Sequence, residues 1–150
     1  MHQKLKHPIY SYSLVSGQFG LIGALAVFAF PANWPIWSLF FYAAGTLLGL
    51  WALKTMHLGH FNIVPDPLPH LAVVTTGPYR FIRHPMYAAI LLFCLPLPLL
   101  DGQLTSAWLY FALFATLLLK LHYEETLICR QVSDYRIYQT HTKKLLPWVF

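Results

Sequence analysis

Two long stretches without a charged side chain, residues 14–30 and 36–53, constrain this chain more than any other feature. Each is close to the roughly 20 residues that an α-helix needs to cross the hydrocarbon core of a bilayer. The 150 residues are 57% hydrophobic and only 10% charged, whereas about a quarter of an ordinary soluble domain is charged. Such a chain cannot cover a soluble surface, so we exclude a disordered protein, a coiled coil and a typical soluble enzyme.

The hydropathy pattern predicts an all-α integral membrane protein, with about four transmembrane helices in a single domain covering residues 1–150. Pro96 and Pro98 predict a kink in the third span, and the fourth continues without a helix breaker beyond Lys120. We interpret the first stretch as a span and not as a signal peptide, because it exceeds the usual apolar region and no small-residue cleavage site follows. The predicted spans are residues 14–30, 36–53, 86–100 and 104–119.

Small residues recur inside the first two predicted spans. Gly45 and Gly49 have the small-xxx-small spacing that lets two helix backbones approach closely in lipid. Gly17, Gly20 and Gly23 are expected to do the same in the first span. The pattern therefore predicts close helix packing on both spans.

All ten Lys and Arg residues fall on one side of this topology, in the N-terminus, at Lys54 directly after the second span, in the connector 55–85 and in the tail after residue 119. The two short loops on the other side carry none, so the positive-inside rule predicts that the charged side and both termini are cytoplasmic. The net charge of +5 then reflects orientation and contact with anionic lipid, and we predict no nucleic acid partner. The compact four-span organisation without targeting extensions favours a prokaryotic plasma membrane.

Two polar clusters flank the hairpin formed by the third and fourth spans, and we expect them to meet in space. In the first cluster, Gly77 and Pro78 can start a short helical turn before Pro85 begins the third span. Its ionisable side chains are Arg80, Arg83 and His84. The predicted cytoplasmic region comprises residues 75–87 and 120–147.

The second cluster, at residues 122–125, places two adjacent carboxylates at the foot of a membrane helix. Repulsion and partial desolvation make this placement costly without a cationic partner. Lys120 and Glu124 stand four residues apart and predict a weak surface ion pair. Glu125 points about 100° further round the helix, without a local partner, and is the stronger functional candidate. Beyond it, Ile128, Val132, Tyr135 and Tyr138 predict a C-terminal amphipathic helix.

Together the clusters predict a small polar pocket with cationic side chains on one wall, carboxylates on the other and aromatic rings around them. A zwitterionic cofactor suits such a pocket. An amino-acid moiety needs a cation for its carboxylate and an acid for its ammonium, and an adenine needs an aromatic or apolar slot.

A more specific resemblance covers about residues 60–150. It rests on the segment Thr76-Gly-Pro-Tyr-Arg-Phe-Ile-Arg-His-Pro-Met-Tyr87, followed by Glu124-Glu125, Tyr135-x-x-Tyr138 and Pro147. In order and spacing these motifs resemble the integral-membrane methyltransferases typified by isoprenylcysteine carboxyl methyltransferase and phospholipid N-methyltransferase. The resemblance implies S-adenosylmethionine as cofactor, in a cytoplasmic pocket closed by the C-terminal helix, and a lipidic substrate that enters from the bilayer.

The same resemblance assigns candidate site residues. Those implied for cofactor binding are Tyr79, Arg83, His84, Pro85, Tyr87, Glu124 and Glu125. The candidate catalytic residues are Arg83, His84 and Glu125, with His122 a further possible base. A carboxylate acceptor needs no base, whereas an amine or thiol acceptor must first lose a proton. Two departures, Ala89 and Val132-Ser133, stand where many members have glycine and Phe-Gly, and they concern how closely helices or cofactor pack.

Three alternatives remain open at this point. The pair His57-x-x-His60, with His70, His84 and His122, is compatible with a metal or haem site, but it is a weak pattern and we predict no metal. A nicotinamide-dependent membrane reductase resembles the same family in its C-terminal half. A non-catalytic membrane interaction protein could retain the scaffold, although the intact Arg83-His84 and Glu124-Glu125 pairs speak against it. The methyl acceptor and the oligomeric state stay open.

Overall fold

A computed structural model describes residues 8–29, 33–56, 73–147 and 150 of the chain. These ranges contain helices and turns but no strand, apart from one isolated parallel bridge between Ile82 and Lys143. The prediction of an all-α protein is confirmed. The elements are α1 (Pro8–Phe28), α2 (Ile36–Met56), a 3-10 turn (Gly77–Arg80), α3 (Pro85–Cys94), α4 (Pro96–Asp101), α5 (Leu104–Gln131) and α6 (Tyr135–His141).

Three of these helices, α1, α2 and α5, are long and apolar enough to cross a membrane. The shorter apolar pair α3 and α4 corresponds to the third predicted span and is interrupted at Leu95, directly before Pro96, as the prolines predict. Helix α1 begins six residues before the predicted span, because Tyr10 to Ser13 are polar but still helical. Helix α5 starts where predicted and continues beyond the apolar stretch 104–119 into the polar residues that follow.

The helices pack as two pairs, α1 against α5 and α2 against α3, joined through contacts of α3 and α4 with α5. The shared core is built from leucines of four helices, among them Leu25, Leu91, Leu113 and Leu117. Large apolar side chains cover the outer faces of α1 and α2, for example Phe19 and Phe40. That distribution is typical of helices whose outer surfaces contact lipid.

Glycines explain the closest contact between helices. A Cβ atom on Gly45 would lie 2.8 Å from the backbone nitrogen of Phe93 and 2.9 Å from the carbonyl oxygen of Ala89. A Cβ on Gly49 would touch the Cβ of Ala89 at 3.6 Å. Ala89, which stands where many members of the resembled family have glycine, therefore lies in the α2–α3 contact. The prediction that small residues allow close helix packing is confirmed for α2. It is wrong for Gly20 and Gly23 of α1, where an added Cβ would meet no described atom of another part of the chain within 4 Å.

The polar ends of the helices meet at one end of the bundle. Tyr10 at the start of α1 packs edge-on against Tyr123 of α5, with ring centroids 5.0 Å apart. Gly77, whose φ is +57°, brings the 3-10 turn against Thr55 near the end of α2. All the candidate site residues that the structure describes lie at this end.

The tail differs from the prediction of one continuous amphipathic helix from Ile128 onward. Helix α5 ends at Gln131, Val132 is extended, and α6 begins only at Tyr135. Helical spacing continues across the break, which is why periodicity alone does not reveal it. Tyr135 is buried in the protein and is not exposed as a membrane-surface residue would be.

Candidate active site

The centre of the site is an ion pair between the two polar clusters. The Arg83 Nε–H donates to Glu125 Oε1 at 2.6 Å, and the side chains are only 7% and 9% exposed. Arg83 lies in the segment between the 3-10 turn and α3, whereas Glu125 lies on the part of α5 beyond its apolar stretch. The expected meeting of the two clusters is therefore observed, and Glu125 finds its partner across the hairpin.

His84 and Tyr87 extend this contact to the second carboxylate. His84 Nε2 lies 3.2 Å from Glu125 Oε1, and its Nδ1 lies 3.8 Å from Glu124 Oε2. The Tyr87 hydroxyl donates to Glu124 Oε2 at 2.8 Å, and its ring stacks on the His84 imidazole at a centroid distance of 5.4 Å. Glu125 is buried, but the Glu124 side chain remains 29% exposed.

Backbone carbonyls of the tail complete the surroundings of Arg83. Its Nη1 group donates to the carbonyl oxygens of Gln139 and Thr142 and to the Thr142 hydroxyl. The backbone N–H groups of Arg83 and His84 donate to the carbonyls of Lys143 and Lys144, at 2.7 and 3.0 Å. We refer to residues 139–144 as the tail clasp. It holds the segment 81–84 through backbone hydrogen bonds, while Glu125 on α5 holds the Arg83 side chain.

Tyrosines line the neighbouring part of the site. The Tyr138 hydroxyl donates to the Tyr79 carbonyl at 2.5 Å, and the Tyr79 hydroxyl lies 3.8 Å from Met56 Sδ. Burial raises the pKa of Tyr138 to about 12, and it raises the pKa of Tyr79 and Tyr135 as well. These phenols stay protonated at neutral pH.

The charge state of Glu125 follows from opposing effects. Burial alone raises its pKa, but the hydrogen bonds and charges of His84 and Arg83 outweigh burial and lower the pKa to about 2. Glu125 is therefore an ionised counter-ion at neutral pH. A carboxylate with so low a pKa is a weak proton acceptor at neutral pH.

The sequence-predicted residues do not all converge. Arg83, His84, Tyr87, Glu124 and Glu125 form one connected network. Pro85 is buried and begins α3, and Tyr79 contacts Met56 through its hydroxyl and the tail through its carbonyl. Arg80 and His122 are exposed. Of the histidines of the metal hypothesis, His57, His60 and His70 lie outside the described residues, whereas His84 and His122 lie within them.

Sequence reasoning missed the tail clasp and misjudged Lys120. Lys120 is buried and donates to Gln18 Oε1 of α1 at 2.8 Å, and within the described chain it makes no ion pair with Glu124. A signal for this contact was present, because Gln18 is the amide within an otherwise apolar stretch, and such polar groups in membrane helices pair with one another. Nothing in the sequence reveals the clasp, because it acts through backbone carbonyls.

Comparison with known proteins places this geometry in a family context. The searches of curated proteins and of solved structures returned no match. The model of the family described as phospholipid methyltransferase matches residues 34–133, which is more than half of the chain and includes Arg83, His84, Glu124 and Glu125. The matched region runs from the residues before α2 to just past α5, and α1 lies outside it. The chain belongs to the phospholipid methyltransferase family.

Proposed function

We propose that this protein binds S-adenosylmethionine at the Arg83–Glu125 site and transfers its methyl group to a lipidic or membrane-partitioned acceptor. The observation that carries the proposal is a buried, charge-balanced Arg83–His84–Glu125 cluster with a second, partly exposed carboxylate, Glu124, beside it. The family supports methyl transfer in general. The cofactor and the acceptor class are our inference.

The described residues fit the cofactor by their chemistry. Glu124 accepts a hydrogen bond from Tyr87 and keeps exposed surface, so its carboxylate suits the ammonium of an amino-acid moiety. The hydrogen bonds of Arg83 within the described residues use Nε and Nη1, which leaves Nη2 for the cofactor carboxylate. The ring of Tyr138, which is partly exposed and packs against Tyr135, offers an apolar face for the adenosine.

When bound, the cofactor supplies an electrophilic methyl group on a sulfonium, and the protein has mainly to align the acceptor and exclude water. Glu125 holds Arg83 and His84 in place and stays ionised. His84 bonds to Glu125 through Nε2, an arrangement in which a carboxylate orients an imidazole. For an amine or thiol acceptor, His84 is the group we assign to receive the proton, and a carboxylate acceptor needs none.

The membrane orientation follows from the charge distribution. The site lies at the bundle end that also holds Lys54 at the end of α2 and the basic residues of the tail. By the positive-inside rule this end faces the cytoplasm. The acceptor then reaches the site from the inner leaflet, past helices whose outer faces are apolar.

The test is binding of S-adenosylhomocysteine to detergent-purified protein, measured by calorimetry. We expect micromolar binding by the parent and loss of binding in His84→Ala and Glu124→Gln. Arg80→Gln, which changes an exposed arginine of the same segment, is the matched control and should bind like the parent. Each variant is first shown to remain folded by its thermal unfolding.

The acceptor is then sought by supplying vesicles with radiolabelled cofactor and following the label into extracted lipid. Absence of S-adenosylhomocysteine binding by folded, lipid-supplemented parent protein would refute the proposed cofactor. Binding without label transfer to any lipid would refute the lipidic acceptor alone.

A further inference from the structure

A buried ammonium group lies next to the site but outside every assignment made so far. Lys120 on α5 is 2% exposed, and its Nζ donates to the Oε1 of Gln18, which is itself 4% exposed on α1. Burying a charge is costly unless other groups compensate it. Within the described residues, no carboxylate oxygen lies within 4.0 Å of this ammonium.

The compensation comes through an aromatic ring. Lys120 Nζ lies 5.2 Å from the centroid of the Tyr87 ring, within the range of a cation–π interaction. The hydroxyl of the same tyrosine donates to Glu124 Oε2 at 2.8 Å. A cation over the ring withdraws electron density from it and makes the phenol a stronger donor. The positive charge of Lys120 thus acts on Glu124 through Tyr87 as well as directly.

We propose that Gln18 and Lys120 are positioning residues of the site: Gln18 holds Lys120 over Tyr87, and Tyr87 in turn holds the Glu124 carboxylate where it receives the cationic end of the ligand. The ligand part of this inference rests on the proposed function. Because α1 lies outside the matched residues 34–133, the contribution of Gln18 goes beyond what the family match describes.

Charge balance supports this assignment. The buried network contains the cations Lys120 and Arg83 and the anions Glu124 and Glu125. Arg83 is paired directly with Glu125, so Lys120 is the remaining cation available to Glu124. His84 Nδ1, at 3.8 Å, also faces Glu124, and the phenols of Tyr79 and Tyr135 lie near enough to interact with its charge. Without Lys120, Glu124 would keep only the Tyr87 hydroxyl and His84 as partners among the described residues.

The ligand test separates the position of the charge from the stability of the fold. Lys120→Gln keeps an amide opposite Gln18 but removes the cation, so we expect near-parent thermal unfolding and a Kd for S-adenosylhomocysteine raised about tenfold. The double variant Gln18→Lys with Lys120→Gln returns an ammonium to the α1–α5 contact from the α1 side, and affinity should stay low. Lys54→Gln, at an exposed lysine, is the control. Parent-like affinity in Lys120→Gln or in the swap would overturn the proposal.

A second test needs no ligand and stays decisive if the proposed function fails. A double-mutant cycle of Lys120→Gln and Glu124→Gln, read by unfolding of the ligand-free protein, should give a favourable coupling. The same cycle in a Tyr87→Phe background, which keeps the ring and removes the hydroxyl, should give a clearly weaker coupling, because only the direct attraction between the two charges remains. Zero coupling with Tyr87 present, or equal coupling without its hydroxyl, would refute the relay. If the parent protein fails to bind S-adenosylhomocysteine, the proposed cofactor is refuted. The double-mutant cycle then decides by itself whether Lys120 acts on Glu124 through Tyr87.

Discussion

Arg83 and Glu125 lie 42 residues apart in the chain, yet Arg83 Nε donates to Glu125 Oε1 at 2.6 Å in the buried centre of the site. One residue precedes α3 and the other lies on α5, so the pair ties the two sides of the hairpin together. The stability of the polar end of the bundle should therefore depend on it.

Breaking this pair should destabilise the protein. Glu125→Gln leaves the Arg83 guanidinium buried without its counter-charge, and removal of one partner of a buried ion pair typically costs about 3–5 kcal/mol. We expect a clearly lowered unfolding temperature in detergent, with Arg80→Gln, at an exposed site, close to the parent. Equal unfolding temperatures for the two variants would show that the pair contributes no net stability.

Acidification should remove the same contribution. The pKa of Glu125 is lowered from 4.5 to about 2 in the folded protein, so the stability that it confers is fully present above pH 4.5. It is lost as the pH falls from 4.5 towards 2, because the unfolded chain then binds the proton more readily. Unfolding temperatures of parent and Glu125→Gln should converge across this window. Parallel curves for the two proteins would contradict the lowered pKa.

Gly77 is expected to tolerate no side chain. Its φ of +57° is unfavourable for alanine, and a Cβ would lie 2.5 Å from Thr55 Oγ1 and 2.9 Å from Thr55 Cγ2. Gly102 has a similar φ of +67° with nothing within 4 Å, so Gly102→Ala isolates the backbone cost of about 1 kcal/mol. Gly77→Ala should cost about 3 kcal/mol in total. Equal unfolding temperatures in the two variants would show that the Thr55 side chain moves aside without loss of stability.

The contact between α2 and α3 should be sensitive to one methyl group. Gly45→Ala places a Cβ within 3 Å of Phe93 and Ala89, forces the helices apart and should cost about 2 kcal/mol. Gly23→Ala on α1 meets no described atom within 4 Å and should leave the unfolding temperature unchanged or slightly raised. A Gly45→Ala protein as stable as Gly23→Ala would mean that the helices adjust freely.

The sequence predicts the membrane helices and the meeting of the clusters because both follow from short-range rules. Charge-free stretches locate α1, α2 and α5, and prolines locate the break before α4. A tight hairpin then leaves Arg83 and Glu125 at the same end. These inferences need no knowledge of how individual side chains pack.

The remaining features depend on contacts between distant parts of the chain. Lys120 looks like an ordinary basic residue at the end of a span, and only the packing of α1 on α5 shows that it is buried against Gln18, 102 residues away. The break at Val132 is followed directly by α6, whose first residue, Tyr135, is buried in the protein interior. The apolar residues of the tail keep the same helical spacing whether or not the helix breaks at Val132.

The tail clasp also sets the order in which the site can assemble during synthesis. Arg83 leaves the ribosome long before residues 139–144, whose carbonyls receive its guanidinium and backbone N–H groups. Until that later segment has been translated and has folded back, the guanidinium lacks these carbonyl partners, and Glu125 is the partner already present in the chain. Completion of the site thus waits for a segment that is translated after every described helix long enough to cross a membrane.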